Sequence, residues 1–220
     1  MYATLFDFDG VLVDSEPVHL AAFNDVLGPR GITIDEHEYV SRYLSLDDAG
    51  VFRAVISRGG KTVREEEVRA LVEAKNPRFM ARFEDAFRIF PGARELLARR
   101  AERAPVGIVS GALEREVVFA LEKMGARDSV AFVISAEKTP VSKPDPAPYL
   151  AGVAQLRKLG HAGGIVAVED SIGGVKSAKG AGIRCVGVSH SYPGDQLGAA
   201  GADAVVADLA ALSDALLEGA

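Results

Sequence analysis

The sequence has little cysteine, no excess of positive charge and no long apolar segment. Its one cysteine, Cys185, lies in the apolar run RCVGV, where we expect a buried thiol that packs as a small hydrophobe. A lone cysteine cannot form a disulfide within the chain, which is typical of a reducing compartment. No apolar run approaches the roughly 18 residues of a membrane span. No basic segment leads into an apolar one at the start, as it does in a secretory signal. We therefore expect a cytoplasmic protein with no membrane association.

The charge balance excludes one class of partner and leaves another open. Acidic side chains outnumber basic ones by 31 to 25, which gives a net charge of -6 at pH 7. Proteins that bind nucleic acid carry an excess of Lys and Arg, so we expect no nucleic-acid partner. A small anionic metabolite needs only a local positive site and fits this composition. No coiled-coil pattern is visible, and the expected state is a monomer or a weak dimer.

Short β-prone runs alternate with helical patterns over most of the chain. Near-continuous apolar runs are typical of strands that are covered on both faces, as in a parallel sheet. The order predicts a doubly wound parallel α/β sheet. The predicted strands are residues 3–8, 105–110, 130–135, 164–169, 184–189 and 202–207. The predicted helices between them are residues 92–103, 113–124, 146–159 and 172–181.

Residues 15–88 break this alternation. They are charged, read as helix throughout and contain no convincing strand, and they are too long for a simple crossover. We expect a helical subdomain inserted after the first strand, so that the α/β core comprises 1–14 and 89–220. Asp14 and Ser15 are expected to cap its first helix, with Pro17 in the first turn.

Polar residues follow four of the predicted strands. In open α/β sheets, ligands bind beyond the carboxyl ends of the strands, so these side chains should meet in one crevice. Four close carboxylates need compensating charge. A lysine offsets one charge and Mg²⁺ offsets two, and Mg²⁺ prefers few carboxylates, several waters and often a substrate phosphate. The residues are Asp7, Asp9, Gly10, Ser110, Gly111, Lys143, Glu169 and Asp170.

The two aspartates after the first strand suit phosphoryl transfer. A carboxylate of ordinary pKa is ionised at neutral pH, so Asp7 needs no base before it attacks phosphorus. Asp9 is placed to protonate the leaving alkoxide and then to deprotonate water, for which we expect a raised pKa. Gly10 lets the backbone turn sharply and approach the phosphate.

The other strand ends complete the predicted site. Ser110 and Gly111 would bind phosphate through a hydroxyl and backbone N–H groups, although a helix N-cap role for Ser110 is the plainer alternative. Lys143 would bind both the phosphoryl oxygens and Asp7. The expected metal set is Asp7, Asp9, Glu169 and Asp170. Whether Glu169 binds the ion directly or through water stays open.

The segments DFDGVLVDSE, IVSGA, SKPDP and VEDS, in this order, closely resemble the four motifs of the haloacid dehalogenase (HAD) superfamily of phosphotransferases. Residues 15–88 resemble the helical cap of its first subfamily. The resemblance implies a Rossmann-like core with an inserted cap. It also implies a Mg²⁺-dependent phosphatase that hydrolyses a small phosphomonoester, such as a sugar phosphate or phosphoglycolate, through an aspartyl-phosphate on Asp7.

The cap positions carry the substrate predictions. His19, Lys75 and Asn76 resemble polar positions that sugar-phosphate members place over the active site, and a solvated helix face is the alternative for each. The mutases of this group carry an arginine in the cap loop for the second phosphate. Here residues 44–48 read LSLDD, and Arg42 is out of step.

Three other functions stay open at the level of sequence. A β-phosphoglucomutase-like enzyme would pass the phosphoryl group to a second hydroxyl, but the missing arginine disfavours it. A metabolite-binding protein without catalysis would predict a damaged site, and these motifs are complete. A dehalogenase is disfavoured, because that reaction needs no Mg²⁺ and the carboxylates resemble a metal and leaving-group apparatus.

Overall fold

The chain divides into two compact units in the computed structural model, which describes residues 1–44, 46–58, 60 and 62–219. The first, called the sheet unit here, comprises Met1–Asp14 and Arg88–Ala220. The second, the helical unit, comprises Ser15–Phe87. Among the described residues, no helix is both long enough and apolar enough to cross a membrane.

The described part of the chain forms eight strands, all of them in the sheet unit. They are β1 (Ala3–Phe6), β2 (Val13–Asp14), β3 (Arg88–Ile89), β4 (Val106–Val109), β5 (Phe132–Ile134), β6 (Ile165–Glu169), β7 (Arg184–Val188) and β8 (Ala204–Val206).

Helices connect these strands and make up the helical unit. They are α1 (Glu16–Leu27), α2 (Glu36–Glu38), α3 (Asp48–Ile56), α4 (Glu65–Ala86), α5 (Ala93–Ala101), α6 (Glu114–Lys123), α7 (Ala147–Lys158), α8 (Ile172–Gly180), α9 (Gly194–Ala199) and α10 (Asp214–Glu218). Short turns of other helical type occupy Gly28–Arg30, Tyr39–Tyr43, Arg127–Ser129, Ala136–Lys138 and Leu209–Ala211.

The main sheet is parallel and doubly wound, as the sequence predicts. Its strand order is β5-β4-β1-β6-β7-β8, so the chain winds outward from β1 first to one side and then to the other. Phe6 pairs in register with Ile108 of β4 and Val168 of β6. The carboxyl ends of three adjacent strands therefore finish at one level, at the point where the winding direction reverses, which is where such sheets bind ligands.

The inner strands of this sheet are buried because helices cover them, and the edge strand β8 is half-buried. Leu5, Ala167 and Cys185 are all fully buried in one apolar cluster with the helix residues Tyr149 and Val175. The expected buried thiol at Cys185 is confirmed. Continuous apolar runs serve such strands since neither face meets water.

The helical unit has its own apolar core. Phe23 on α1 packs edge-on against Phe52 on α3, with ring centroids 5.1 Å apart, and Val68 and Leu71 on α4 join the same cluster. An apolar cluster of this kind supports each helix through tertiary packing rather than through local propensity.

Two local expectations fail at the junction of the units. Val13–Asp14 and Arg88–Ile89 form a two-stranded antiparallel ribbon, so Arg88 is in a strand rather than in a helical segment. Strands of two residues carry no periodicity that a sequence could show. Ser15 is at the N-cap position of α1 and a proline follows in the first turn, but the Ser15 side chain makes no capping bond.

Arg100 ties the end of the chain to the first strand. Its side chain is fully buried and its guanidinium donates to Tyr2 O at 2.6 Å and Thr4 Oγ1 at 3.0 Å. The same group pairs with Asp214 on α10 at 2.8 Å and with Glu218 at 3.4 Å. A buried guanidinium is tolerated here because its N–H groups find acceptors.

We predict that Arg100→Met lowers the free energy of unfolding by roughly 2–3 kcal/mol, because buried acceptors lose their donor. Chemical denaturation would measure this. Arg115→Met on the exposed side of α6 is the matched control and should change stability little. Equal losses in the two variants would contradict the assigned role of Arg100.

Candidate active site

The Lys143 ammonium joins the ends of three neighbouring strands. Its Nζ lies 2.8 Å from Asp7 Oδ1, 2.5 Å from Glu169 Oε1 and 2.9 Å from the carbonyl oxygen of Val109. An ammonium has three protons, and three oxygens surround this one. The geometry places one partly buried cation between two buried carboxylates at the carboxyl ends of β1, β4 and β6.

Glu169 is fully buried, and both of its oxygens have donors. Oε1 accepts from Lys143 and from the Tyr149 hydroxyl at 2.7 Å, while Oε2 accepts from Ser171 Oγ at 3.2 Å. A carboxylate with this set of donors holds its neighbours in place. Direct coordination of an ion would have to displace or share one of these bonds.

Burial sets the protonation behaviour of the pair. It raises the pKa of Asp7 to about 7, helped by the Glu169 charge and opposed by Lys143. Burial alone would lower the pKa of Lys143, but Asp7 and Glu169 together hold it above its ordinary value. The sequence expectation put the raised pKa on Asp9 and an ordinary one on Asp7. Asp7 differs because it lies in the dry crevice beside a second carboxylate.

Two glycines leave room for the acidic side chains. A Cβ added at Gly10 would come within 1.8 Å of Asp170 Oδ2, and the Gly10 φ of +73° disfavours any other residue. A Cβ at Gly174 would lie 1.9 Å from the Glu169 carboxylate. Gly10 is therefore required because a larger residue would overlap the Asp170 carboxylate, in addition to any approach of the backbone to a ligand.

Ser110 lies in a loop, three residues before the N-cap of α6. Its Oγ accepts from the Ala112 N–H at 2.9 Å, and Leu113 occupies the N-cap position of α6. The N-cap interpretation of Ser110 is therefore wrong. The side chain is almost buried and Gly111 is exposed, so the loop presents a hydroxyl and free backbone beside the end of β1.

Asp7, Glu169 and Asp170 form a group whose oxygen donors suit a divalent cation. One carboxylate oxygen from each lies within 4.8 Å of the others. All-oxygen donors fit Mg²⁺ better than a soft metal ion. The side chain of Asp9 is outside this trio, which is the one found among the described residues, and it is partly exposed. Its metal role stays a prediction.

Sequence reasoning missed Tyr149 and His190. His190 Nδ1 lies 2.8 Å from the carbonyl oxygen of Gly10, and its ring stacks on Phe90 with centroids 3.9 Å apart. His190 follows β7 by two residues, so the strand-end rule applied to that strand would have found it. Tyr149, in the first turn of α7, has an apolar ring that reads as core and gives no comparable signal.

The helical unit holds the predicted substrate residues in a polar cluster. Lys75 Nζ lies 2.5 Å from Asp48 Oδ1 and 2.8 Å from His19 Nδ1, and it is buried. Burial, then the Lys75 charge, lowers the pKa of His19 well below its ordinary value. Asn76 is half-buried beside them. The substrate roles of His19, Lys75 and Asn76 stay predictions. In the cap-loop stretch 44–48, which contains no arginine, Ser45 lies outside the described residues.

We predict a pH-dependent stability for the metal-free protein. Asp7 has a raised pKa in the folded state, so its protonation stabilises the fold fully below about pH 4, and this contribution is lost as the pH rises through about 7. Asp7→Asn should remove this dependence. The difference in thermal midpoint between Asp7→Asn and the parent should therefore favour the variant more at pH 8 than at pH 5. Thermal unfolding in chelator would measure it. Asp128→Asn, at an exposed site, is the control, and a parallel pH profile for Asp7→Asn and the parent would refute the prediction.

Comparisons with known proteins identify the family of the chain. Residues 4–188 match the family described as haloacid dehalogenase-like hydrolase. The chain is 32% identical over 220 residues to a phosphoglycolate phosphatase of Rhodospirillum rubrum, covering 96% of this chain and 89% of that protein. It is 32% identical over 196 residues to hexitol phosphatase B of Escherichia coli K12, covering 84% and 82%.

A solved structure shares the whole fold. The crystal structure of CbbY from Rhodobacter sphaeroides in complex with phosphate superposes with a TM-score of 0.82 at 25% identity, covering 100% of both chains. The predicted family and fold are confirmed. The chain belongs to the haloacid dehalogenase-like hydrolase family.

Proposed function

We propose that the protein is a Mg²⁺-dependent phosphatase that hydrolyses a small phosphomonoester through an aspartyl-phosphate on Asp7. The observation that carries this proposal is the arrangement of Asp7, Glu169 and Asp170 as a close group of carboxylates, with Lys143 paired to the first two. The two phosphatases to which the chain is 32% identical support a sugar phosphate or a phosphoglycolate-like compound as substrate.

The first step is attack by the Asp7 carboxylate on phosphorus. A bond forms between a carboxylate oxygen of Asp7 and phosphorus, and the ester P–O bond breaks. Asp9 donates its proton to the leaving alkoxide. As Asp7 becomes an acyl phosphate it loses its negative charge, so Lys143 is freed to interact with the phosphoryl oxygens.

The second step returns the enzyme to its starting state. Asp9 takes a proton from the attacking water, the new oxygen bonds to phosphorus, and the Asp7–phosphorus bond breaks. Ser110 and the backbone at Gly111 bind the phosphoryl oxygens in both steps.

Asp7 and Asp170 are the residues that would hold Mg²⁺ directly, and Asp9 stays a predicted member of the metal set. Glu169 would act through Lys143 and an ordered water, because its oxygens already accept hydrogen bonds. When bound, the ion neutralises charge on the carboxylates and the phosphoryl group.

We expect Mg²⁺-dependent release of phosphate from at least one of a panel of sugar phosphates and phosphoglycolate. Asp7→Asn should reduce the rate by several orders of magnitude, since it removes the nucleophile. Chelator should abolish the release, and Asp128→Asn should leave it unchanged. An isomeric phosphate ester in place of free phosphate would identify a mutase. Binding of esters without any turnover would favour a metabolite-binding protein.

We also predict that Gly10→Ala weakens Mg²⁺ binding or activity by about 10- to 100-fold, because the added methyl displaces the Asp170 carboxylate. The measurement is the Mg²⁺ concentration for half-maximal rate. Gly198→Ala on α9, where an added Cβ meets nothing within 4 Å, is the matched control. Unaltered Mg²⁺ dependence in Gly10→Ala would show that Asp170 does not bind the ion.

A further inference from the structure

Tyr149 donates a hydrogen bond to the same oxygen that binds Lys143. Its hydroxyl lies 2.7 Å from Glu169 Oε1, and Lys143 Nζ lies 2.5 Å from that oxygen. The ring is fully buried, and Lys143 Nζ lies 5.0 Å from its centroid. Tyr149 therefore contacts both members of the Lys143–Glu169 pair and is shielded from solvent.

The Tyr149 hydroxyl competes with Lys143 for the same Glu169 oxygen and so weakens the attraction between Glu169 and Lys143. A carboxylate oxygen with one donor binds that donor more strongly than one that is shared between two. With Tyr149 present, Glu169 Oε1 is partly neutralised by a group that carries no charge. Lys143 can then stay 2.8 Å from Asp7 Oδ1 rather than move wholly to Glu169.

We propose that Tyr149 is a positioning residue, which holds Lys143 between Glu169 and Asp7 by sharing the Glu169 oxygen. The hydroxyl is the donor in this bond, because a carboxylate oxygen can only accept. Lys143 thus remains close enough to Asp7 to interact with the phosphoryl oxygens when the bond between Asp7 and phosphorus forms.

The role predicts a specific kinetic signature. Without the hydroxyl, Glu169 draws Lys143 away from Asp7, and the loss is felt most when charge develops on the phosphoryl oxygens. Tyr149→Phe should lower kcat by about tenfold, in the range expected for a hydrogen bond to a charged group. KM should change less than about twofold, since the lost interaction is made in the transition state.

The first experiment compares Tyr149→Phe with Tyr2→Phe, using the ester and Mg²⁺ on which the parent is active. This inference rests on the proposed function. Tyr2, just before β1, is at the opposite end of the sheet, and its variant should keep the parental kcat. A Tyr149→Phe enzyme with parental kcat would overturn the proposal. A fall in kcat at constant KM, with the folded fraction unchanged by circular dichroism, would support it.

A second experiment needs no turnover, so it separates failure of this inference from failure of the proposed function. Thermal midpoints are measured in chelator for Tyr149→Phe, Lys143→Met and the double variant. Coupling through Glu169 predicts that the double shift differs from the sum of the two single shifts. Additive shifts would overturn the inference even if the parent hydrolyses no ester, and non-additive shifts would support it in that case as well.

Discussion

Lys143 stabilises a crevice in which two buried carboxylates would otherwise repel each other in a dry environment. Asp7 and Glu169 both lie within 2.8 Å of its ammonium, and the Val109 carbonyl accepts a third hydrogen bond from it. Removing charges from water is costly unless each is paired and hydrogen-bonded. These charges meet at the position where the proposed nucleophile and the proposed cation and anion sites coincide.

The parallel sheet makes this coincidence structurally simple. β1, β4 and β6 are neighbours in register, so residues that follow them reach the same edge without special loops. Strand ends supply Asp7, Val109 and Glu169, and the α7 loop supplies Lys143. The residue contributed by α7 itself, Tyr149, joins the set because that helix covers the sheet beside β1 and β4.

Close packing around the carboxylates places a second constraint on the sequence. Gly10 and Gly174 are required where Asp170 and Glu169 occupy the space that a side chain would fill. Asp170 and Glu169 are consecutive, and each of their carboxylates occupies the space beside a different glycine. A site with two such contacts tolerates few substitutions, even at positions that never touch a ligand.

The sequence determined most of the fold, and it identified the residues of the site by their positions after apolar runs. Six runs became the six strands of the main sheet, because covered parallel strands are continuously apolar and this is a local property. Asp7, Ser110, Lys143 and Glu169 could be found for the same reason. Only the tertiary structure decided the protonation of Asp7, the partners of Glu169, and the contributions of Tyr149 and His190. Those properties depend on burial and on distances between residues far apart in the chain, and an aromatic ring in an apolar helix face gives no local sign that its hydroxyl meets a carboxylate.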